Sequence, residues 1–357
     1  MPKIGDIIRL LENIAPLRLA ENWDNVGLHY GDPDWPVSHV FACLDPTIQA
    51  VNAAAAVGAD LLVTHHPLIF KPLKNLNTKT PVGAVIDCAA RRRIAVFCAH
   101  TNLDSAFGGI NDVLAEKIGL NVTGPLSFVP EVQRYKLVVF APSSDTKSIY
   151  TAISQTHSVR ICNYNGCSFY SDGNGRFIPE RAEDVRIEIP VLEADIHDVV
   201  KKVKSAHSHE TVLYDIYPLN REKSGNGIGR IGEFQRTRSL VDTAHEIKQA
   251  LSLKTVKIAG HPDLQIKTAA VCSGGGSQMI EDFLASGTHA YISGDLGHHA
   301  AIDIAGNNLG VIDIGHFASE QVAIPVICSR LEKEMEKESI SVPVTPWTNE
   351  TDPFTCI

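Results

Sequence analysis

The chain has no C-x-x-C pair. Its eight cysteines (Cys43, Cys88, Cys98, Cys162, Cys167, Cys272, Cys328 and Cys356) are scattered and lie mostly inside apolar runs, which reads as reduced core thiols and not as a disulfide or thiolate-metal framework. No apolar run is long enough to span a bilayer, and Met1-Pro-Lys-Ile-Gly-Asp-Ile-Ile lacks a basic segment followed by an apolar stretch and cleavage site. No membrane span is expected, and the expected compartment is the cytoplasm. Positive charge is in deficit. The 32 Lys and Arg face 41 Asp and Glu, a net charge of −9, which argues against a general nucleic-acid or anionic-membrane surface. The triplet Arg91-Arg92-Arg93 closes a predicted helix, where cations offset the dipole, and reads as a solvated cap. No Ser-His-Asp nucleophile elbow occurs. The glycine-rich turn Ser273-Gly274-Gly275-Gly276-Ser277 fits neither the P-loop nor the Rossmann pattern, so it is either a tight turn or an amide cradle for a phosphate at a helix start.

What remains is an ordinary globular composition, 44% hydrophobic and 20% charged over 357 residues, long enough for about two domains of 100–200 residues. The first part alternates apolar runs with helical periodicity. Ile4 to Ile14 reads as a helix, Glu21 to Leu28 as a loop, Val40 to Asp45 as an apolar run, and Thr47 to Val57 as an alanine-rich helix closed by Gly58. The strand Asp60 to Thr64, the helix Pro81 to Arg93 and the strand Ile94 to Ala99 follow, a βαβ texture with a parallel or mixed sheet. Between about 127 and 232 the texture changes. Strands at Tyr135 to Phe140, Arg186 to Pro190 and Thr211 to Tyr217 bracket helices at Asp145 to Gln155 and Ile196 to Ala206. With a Gly- and Asn-rich stretch at Tyr164 to Gly175, this predicts a ferredoxin-like α+β module. A glycine-rich linker, Ser224 to Gly232, leads back to α/β texture: strands at Val256 to Ile258, Thr268 to Val271, Ala290 to Ser293 and Leu309 to Ile314, with helices at Gln278 to Ala285 and Phe317 to Lys337. The outer segments are faintly alike, each placing a strand before a histidine doublet and a second strand before His100 or His316. Residues 1–126 and 233–357 are therefore read as one α/β domain of two related halves, with 127–232 inserted.

Histidine is the telling residue, with 15 copies and doublets at 65–66 and 298–299. Side chains at strand carboxyl ends converge on one crevice in α/β folds. Leu-Leu-Val-Thr-His65-His66-Pro, Ala-His100-Thr-Asn-Leu-Asp104 and Asp-Ile-Gly-His316-Phe-Ala-Ser-Glu320 all stand at such ends. A strand that turns into a loop before Pro67 lets both His65 and His66 face one way, and His316 and Glu320, four apart, share a helix face. His65, His66, Asp104, His316 and Glu320 form a mixed N/O set suited to zinc, iron(II) or manganese, too few for two closed sites and suitable for two open ones. His100, His298 and His299 are candidates for moving protons, against a plain packing role. Glu21, Asp24 and Asn25 are turn formers or members of the site's rim, and His207 and His209 are surface residues.

These motifs, with Trp23-Asp-Asn-Val-Gly-Leu28, Cys272-Ser-Gly-Gly-Gly276 and Ser293-Gly-Asp-Leu-Gly-His-His299, run in order along both outer segments. In them the chain resembles the NIF3-like dinuclear-metal family named GTP cyclohydrolase 1 type 2 homologs. The resemblance implies two divalent ions (zinc, iron or manganese) on those five ligands, with Glu320 bridging, His66 and Asp104 on one ion, and His65 and His316 on the other. It implies a homohexameric ring and makes the middle segment similar to the PII and CutA-like insertion of longer members. The departure His207-Ser208-His209, where shorter relatives carry a histidine-proline pair, falls in that segment. Two functions follow: a metal-dependent hydrolase of a small nucleotide-like or phosphorylated substrate, or a noncatalytic regulatory or scaffold protein sensing a ligand or partner through its PII-like module.

Overall fold

Short strands whose residues are apolar on both faces need cover on both sides, and in this chain each is sandwiched between helices and a second sheet. The computed structural model describes residues 1–129, 134–153, 169–172, 184–219 and 225–355. Most of the stretch Tyr164 to Gly175, with Cys162, Cys167 and Cys356, lies outside the described residues. In chain order the strands are β1 (Gly27–Tyr30), β2 (Val40–Cys43), β3 (Leu61–Thr64), β4 (Ala95–Cys98), β5 (Leu120–Phe128), β6 (Arg134–Pro142), β7 (Phe169–Asp172), β8 (Asp184–Leu192), β9 (Leu213–Pro218), β10 (Gly227–Ser239), β11 (Lys257–Ala259), β12 (Gln265–Gly275), β13 (Ala290–Gly294), β14 (Gly310–Asp313) and β15 (Val344–Pro346).

The chain divides into two compact units, Met1–Val129 with Gly225–Ile357, and Pro130–Ser224. The first holds two mixed sheets, ordered β1-β4-β3-β2-β15 and β11-β14-β13-β12-β10-β5. Each is built on three parallel strands, β2-β3-β4 or β12-β13-β14, with an antiparallel strand, β1 or β11, on the third. The fold is thus an α/β domain of two related halves. Alternation along the strands sorts their side chains. Val40, Ala42, Leu61, Val63, Ala95 and Phe97 join Val271, Ile292 and Ile312 in a shared core with helix Ile4–Ile14 and helix Ala323–Lys337. Phe41, Cys43, Leu62 and Val96 face the other way, against helices Ile48–Ala56 and Pro81–Arg92. Among the described cysteines, Cys43, Cys98, Cys272 and Cys328 are buried and unbridged, Cys88 half-buried.

Among its described residues the second unit has the element order βαββαβ. Its antiparallel sheet has the order β7-β8-β6-β9, with helices Thr146–Ile153 and Ile196–Ala206 sharing its core through Ile149, Ile153, Val199 and Val203. That is the ferredoxin-like arrangement the sequence predicts.

The structure corrects four local readings. The supposed linker at Ser224 to Gly232 runs into β10, a long central strand of the second sheet. A Cβ on Gly232 would stand 2.4 Å from Asn121 O, so close strand packing, not flexibility, calls for glycine there. The loop at Glu21 to Leu28 ends in β1. The helix expected over Phe317 to Lys337 is two, His316–Glu320 and Ala323–Lys337. Pro325 has no N–H for an i−4 bond and is tolerated only in a helix's first turn, so the helix restarts at Ala323. The helix expected over Gln278 to Ala285 is a 3₁₀ turn, Gly276–Met279, followed by the helix Ile280–Ser286.

Arg230 of β10 is 1% exposed. Its Nε and Nη2 donate to Asp112 at 2.8 and 2.6 Å, its Nη1 to the carbonyls of Gly227 and Gly229, and its Nη2 to Ala106 O. Removing the carboxylate leaves a buried cation uncompensated, at a cost of about 3–5 kcal/mol. Asp112→Ala should lower the urea unfolding midpoint accordingly with an unchanged slope. A loss under about 1 kcal/mol would show that the backbone carbonyls alone satisfy the guanidinium.

Candidate metal centre

All five expected ligands belong to the first compact unit and meet there. At the end of β3 the His65 and His66 amides donate to Cys43 O and Leu44 O, and Thr64 Oγ1 donates to His66 O at 2.7 Å. This bend before Pro67 brings the two rings to one side, with centroids 5.2 Å apart. His65 is fully buried. Its Nδ1 donates to Ala99 O at 2.9 Å, and its Nε2 has no well-directed hydrogen bond among the described residues. His66 and His316 are held the same way, Nδ1 donating to Asp45 Oδ1 at 2.8 Å and to Asp295 Oδ2 at 2.9 Å. Each imidazole thus turns Nε2 inward, the arrangement of a metal-ligating histidine with its outer partner in place.

Glu320, 3% exposed, lies at the centre. Its Oε1 is 3.7 Å from His65 Nε2, which is itself 4.0 Å from Asp104 Oδ1. Its Oε2 is 2.9 Å from His66 Nε2 and 3.0 Å from His316 Nε2, yet accepts no well-directed hydrogen bond among the described residues. Two buried atoms without a well-directed hydrogen bond, His65 Nε2 and Glu320 Oε2, are donors that a cation would complete. Donors to one ion at about 2.0–2.2 Å stand roughly 3–4 Å apart. The two carboxylate oxygens face apart, Oε1 toward His65 on the Asp104 side and Oε2 toward His66 and His316.

The electrostatics agree. Burial opposes charge on His66, but Asp45 and Glu320 outweigh it and push the imidazole up to about 10. Glu320 lifts His316 to about 9 against its burial, with help from Asp295. Burial also works against charge on His65, and Glu320 and Asp104 still raise it. Glu320 would be raised by burial, but His316, His65 and His66 hold it well below the usual carboxylate range. Burial raises Asp104, whose Oδ1 accepts from Ser273 Oγ at 3.0 Å.

His100 is the third imidazole beside the doublet, its centroid 5.1 Å from His65 and 5.7 Å from His66. Its Nδ1 donates to Asp24 Oδ1 at 2.9 Å, and Asp24 Oδ2 accepts from the Thr101 amide and hydroxyl. Burial would raise Asp24, but His100 and Thr101 bring it down to about 2. His298 and His299 stand exposed at the start of helix His298–Gly306, their rings edge-on 5.6 Å apart, and belong to neither group of close donor atoms among the described residues, His65-His66-His100 or His66-His316-Glu320. Three amides of the glycine turn are committed within the chain: Ser273 N to Asn111 Oδ1, Gly274 N to Ser319 Oγ, Gly276 N to Ser293 Oγ. Its glycine serves the carboxylate. Gly274 has φ +67°, and a Cβ there would lie 2.2 Å from Glu320 Oε1.

Sequence reasoning missed Asp45 and Asp295, which orient two of the rings, although each follows an apolar strand run as His65 does. It also missed Glu350, whose carboxylate accepts from the Leu44 and Asp45 amides at 2.7 and 2.9 Å. No local signal marks an acid in a carboxyl-terminal segment as a neighbour of residue 45.

With the site described, its relatives can be stated. The family model Duf34/NIF3 (NGG1p interacting factor 3) matches residues 2–353. A protein of Halalkalibacterium halodurans named GTP cyclohydrolase 1 type 2 homolog is 32% identical over 98% of each chain. One of the same name from Bacillus subtilis is 31% identical over 98% of this chain and 97% of its own. Among solved structures, a Bacillus cereus protein related to NIF3 superposes with a TM-score of 0.79 at 34% identity, covering 100% of this chain and 99% of its own. Staphylococcus aureus protein SA1388 gives 0.84 at 30% identity over the same shares.

Two outcomes follow from the geometry and the charges. Asp45→Asn and Asp295→Asn should each weaken divalent-metal affinity by about 10- to 100-fold, read by chelator competition, since each releases a ligating ring from its outer partner. Unchanged affinity would remove the orienting role. Uptake should also expel protons. With His66 pushed up to about 10 and His316 to about 9, an ion should displace up to two protons from them at neutral pH, and the number should fall as pH rises through 9 and then through 10. Apparent affinity should therefore rise with pH and level off above about 10, and calorimetry in buffers of different ionisation heat should count the protons at pH 7. A pH-independent affinity would place the metal elsewhere.

Proposed function

The chain belongs to the Duf34/NIF3 (NGG1p interacting factor 3) family, and on that premise we propose that it is a dinuclear metal-dependent hydrolase of a small nucleotide-like or phosphorylated substrate. The observation that carries the reading is the buried Glu320 carboxylate, one oxygen turned to His65 on the Asp104 side and the other to His66 and His316. His65 and Asp104 would hold one divalent ion, His66 and His316 the other, and Glu320 both. Zinc, iron(II) and manganese suit such donors. Bound there, the ions supply Lewis acidity that polarises the bond under attack and makes water a competent nucleophile near neutral pH.

The chain's own contribution is orientation and proton movement. His100, its Nδ1–H spent on Asp24, has Nε2 free to take a proton from an attacking group and return it to a leaving one. The low Asp24 carboxylate stabilises the charged ring in between. His298 and His299, exposed at the start of their helix, are proposed as further proton movers or substrate contacts. The proposal includes a homohexamer, checked by sedimentation equilibrium against the chain mass of 38.8 kDa. Among the described residues no helix is long and apolar enough to cross a membrane.

Metal analysis of anaerobically purified protein should give two ions per chain, and Glu320→Ala should lose both ions and turnover on a panel of nucleotides and phosphoesters. His100→Ala should keep the metal and lose turnover. A loaded protein that hydrolyses nothing on the panel, with Glu320→Ala behaving identically, would remove the hydrolase reading. The rival reading, a regulator acting through a PII-like module, is supported by the inserted unit having a core of its own. Deleting that unit would then abolish function, whereas a hydrolase keeps its chemistry.

A further inference from the structure

Two large aromatic side chains beside the histidine cluster are left open to solvent. Trp23 is 47% and Phe70 49% exposed. Their rings lie 5.8 Å apart at 57°, and Trp23 also stands edge-on to His100 at 6.2 Å. The two rings are adjacent and open on the side of the cluster, where a ligand can reach both. Neither ring is loosely placed. Trp23 precedes Asp24, which is fixed on His100 and Thr101. The loop after Trp23 is tied to the loop before Phe70 by a closed set of hydrogen bonds. Asn25 Nδ2 donates to Ile69 O, the Ile69 amide donates to His29 Nδ1, and His29 Nε2 donates to Asn25 O. A neutral His29 is required for that circuit, and burial lowers its pKa accordingly. The pair is preorganised, at a position that nothing in the metal chemistry uses.

We propose that Trp23 and Phe70 form a stacking wall that takes a planar heteroaromatic ring of the substrate, such as a purine, and so orient the remainder of that molecule toward His65, His66 and His100. A ring stacked on Trp23 is within one small molecule's length of the imidazoles, because Trp23 itself is 6.2 Å from His100. Every nucleobase has a π-face, so such a wall selects for planarity before it selects for hydrogen-bond pattern. The inference rests on reading the cluster as a small-molecule site, and its readout is binding, so a protein that turns nothing over still tests it.

The experiment uses the full-length protein with guanosine and adenosine as probes and inorganic phosphate as the control. Both nucleosides should quench tryptophan fluorescence saturably, and phosphate should not. Trp23→Phe should abolish the quench while equilibrium dialysis shows nucleoside binding within a few-fold of wild type. Trp23→Ala and Phe70→Ala should each weaken binding by about tenfold or more, the factor that one stacked base provides. Their metal content and thermal unfolding should match the parent, which separates loss of the wall from loss of the fold. Nucleoside affinity unaltered in Trp23→Ala, or no saturable binding of either nucleoside, overturns the proposal. So does a sedimentation profile in which Trp23→Ala dissociates an oligomer, since the wall would then be covered by a second copy of the chain.

Discussion

A carboxylate buried among three imidazoles sets the terms for the rest of the first unit. Glu320 is nearly inaccessible, and burial alone would neutralise it. It stays ionised because His65, His66 and His316 all turn toward it, and those rings turn because each has its Nδ1 committed to something outside the cluster. The fold must therefore deliver a carbonyl (Ala99) and two carboxylates (Asp45 and Asp295) to positions behind the rings. All three stand just beyond strand ends, those of β4, β2 and β13. The sheet architecture thus supplies outer partners and inner ligands by the same device.

The cost of bringing Glu320 so close to a loop is met by backbone and not by side chains. Gly274 adopts a left-handed conformation beneath the carboxylate, and a Cβ on Gly294 would meet the His316 amide nitrogen at 2.5 Å. The hydrogen bonds of the turn run to Asn111, Ser293 and Ser319, each already fixed in the surrounding core or helices. Glycine in this turn thus serves the close approach of the backbone to Glu320 and His316.

The convergence of the five expected ligands was legible in the sequence because they obey a local rule, polar residues at the ends of apolar strand runs, and because His316 and Glu320 stand four apart. The βαβ texture and the inserted module were legible for the same reason: their strands are short, apolar and cleanly bounded. What was not legible depends on pairing between distant segments. β10 reads as a linker because glycine recurs in it, and only its neighbour β5 shows why a side chain would not fit. The split at Ala323 turns on one proline within an otherwise continuous helical pattern. Glu350 is invisible to any local rule, because it reaches Asp45 through the pairing of β15 with β2.

The separation between holding a ring and using it bears on how the centre acquires metal. In many small metal proteins the ion assembles its own ligands, and binding is folding. Here the three Nδ1 anchors, the Ser273 contact to Asp104 and the Glu350 contact to the Asp45 amide fix the donors from outside the cluster. What the ion displaces is protons, chiefly those raised on His66 and His316 by the carboxylates around them. Selection among divalent metals then falls to donor type and availability more than to the protein's freedom to adapt, since a site already held in shape adjusts little to an ion's preferred geometry. The same rigidity leaves the open side of the cluster, toward His100 and Trp23, as the direction from which a reacting molecule meets it.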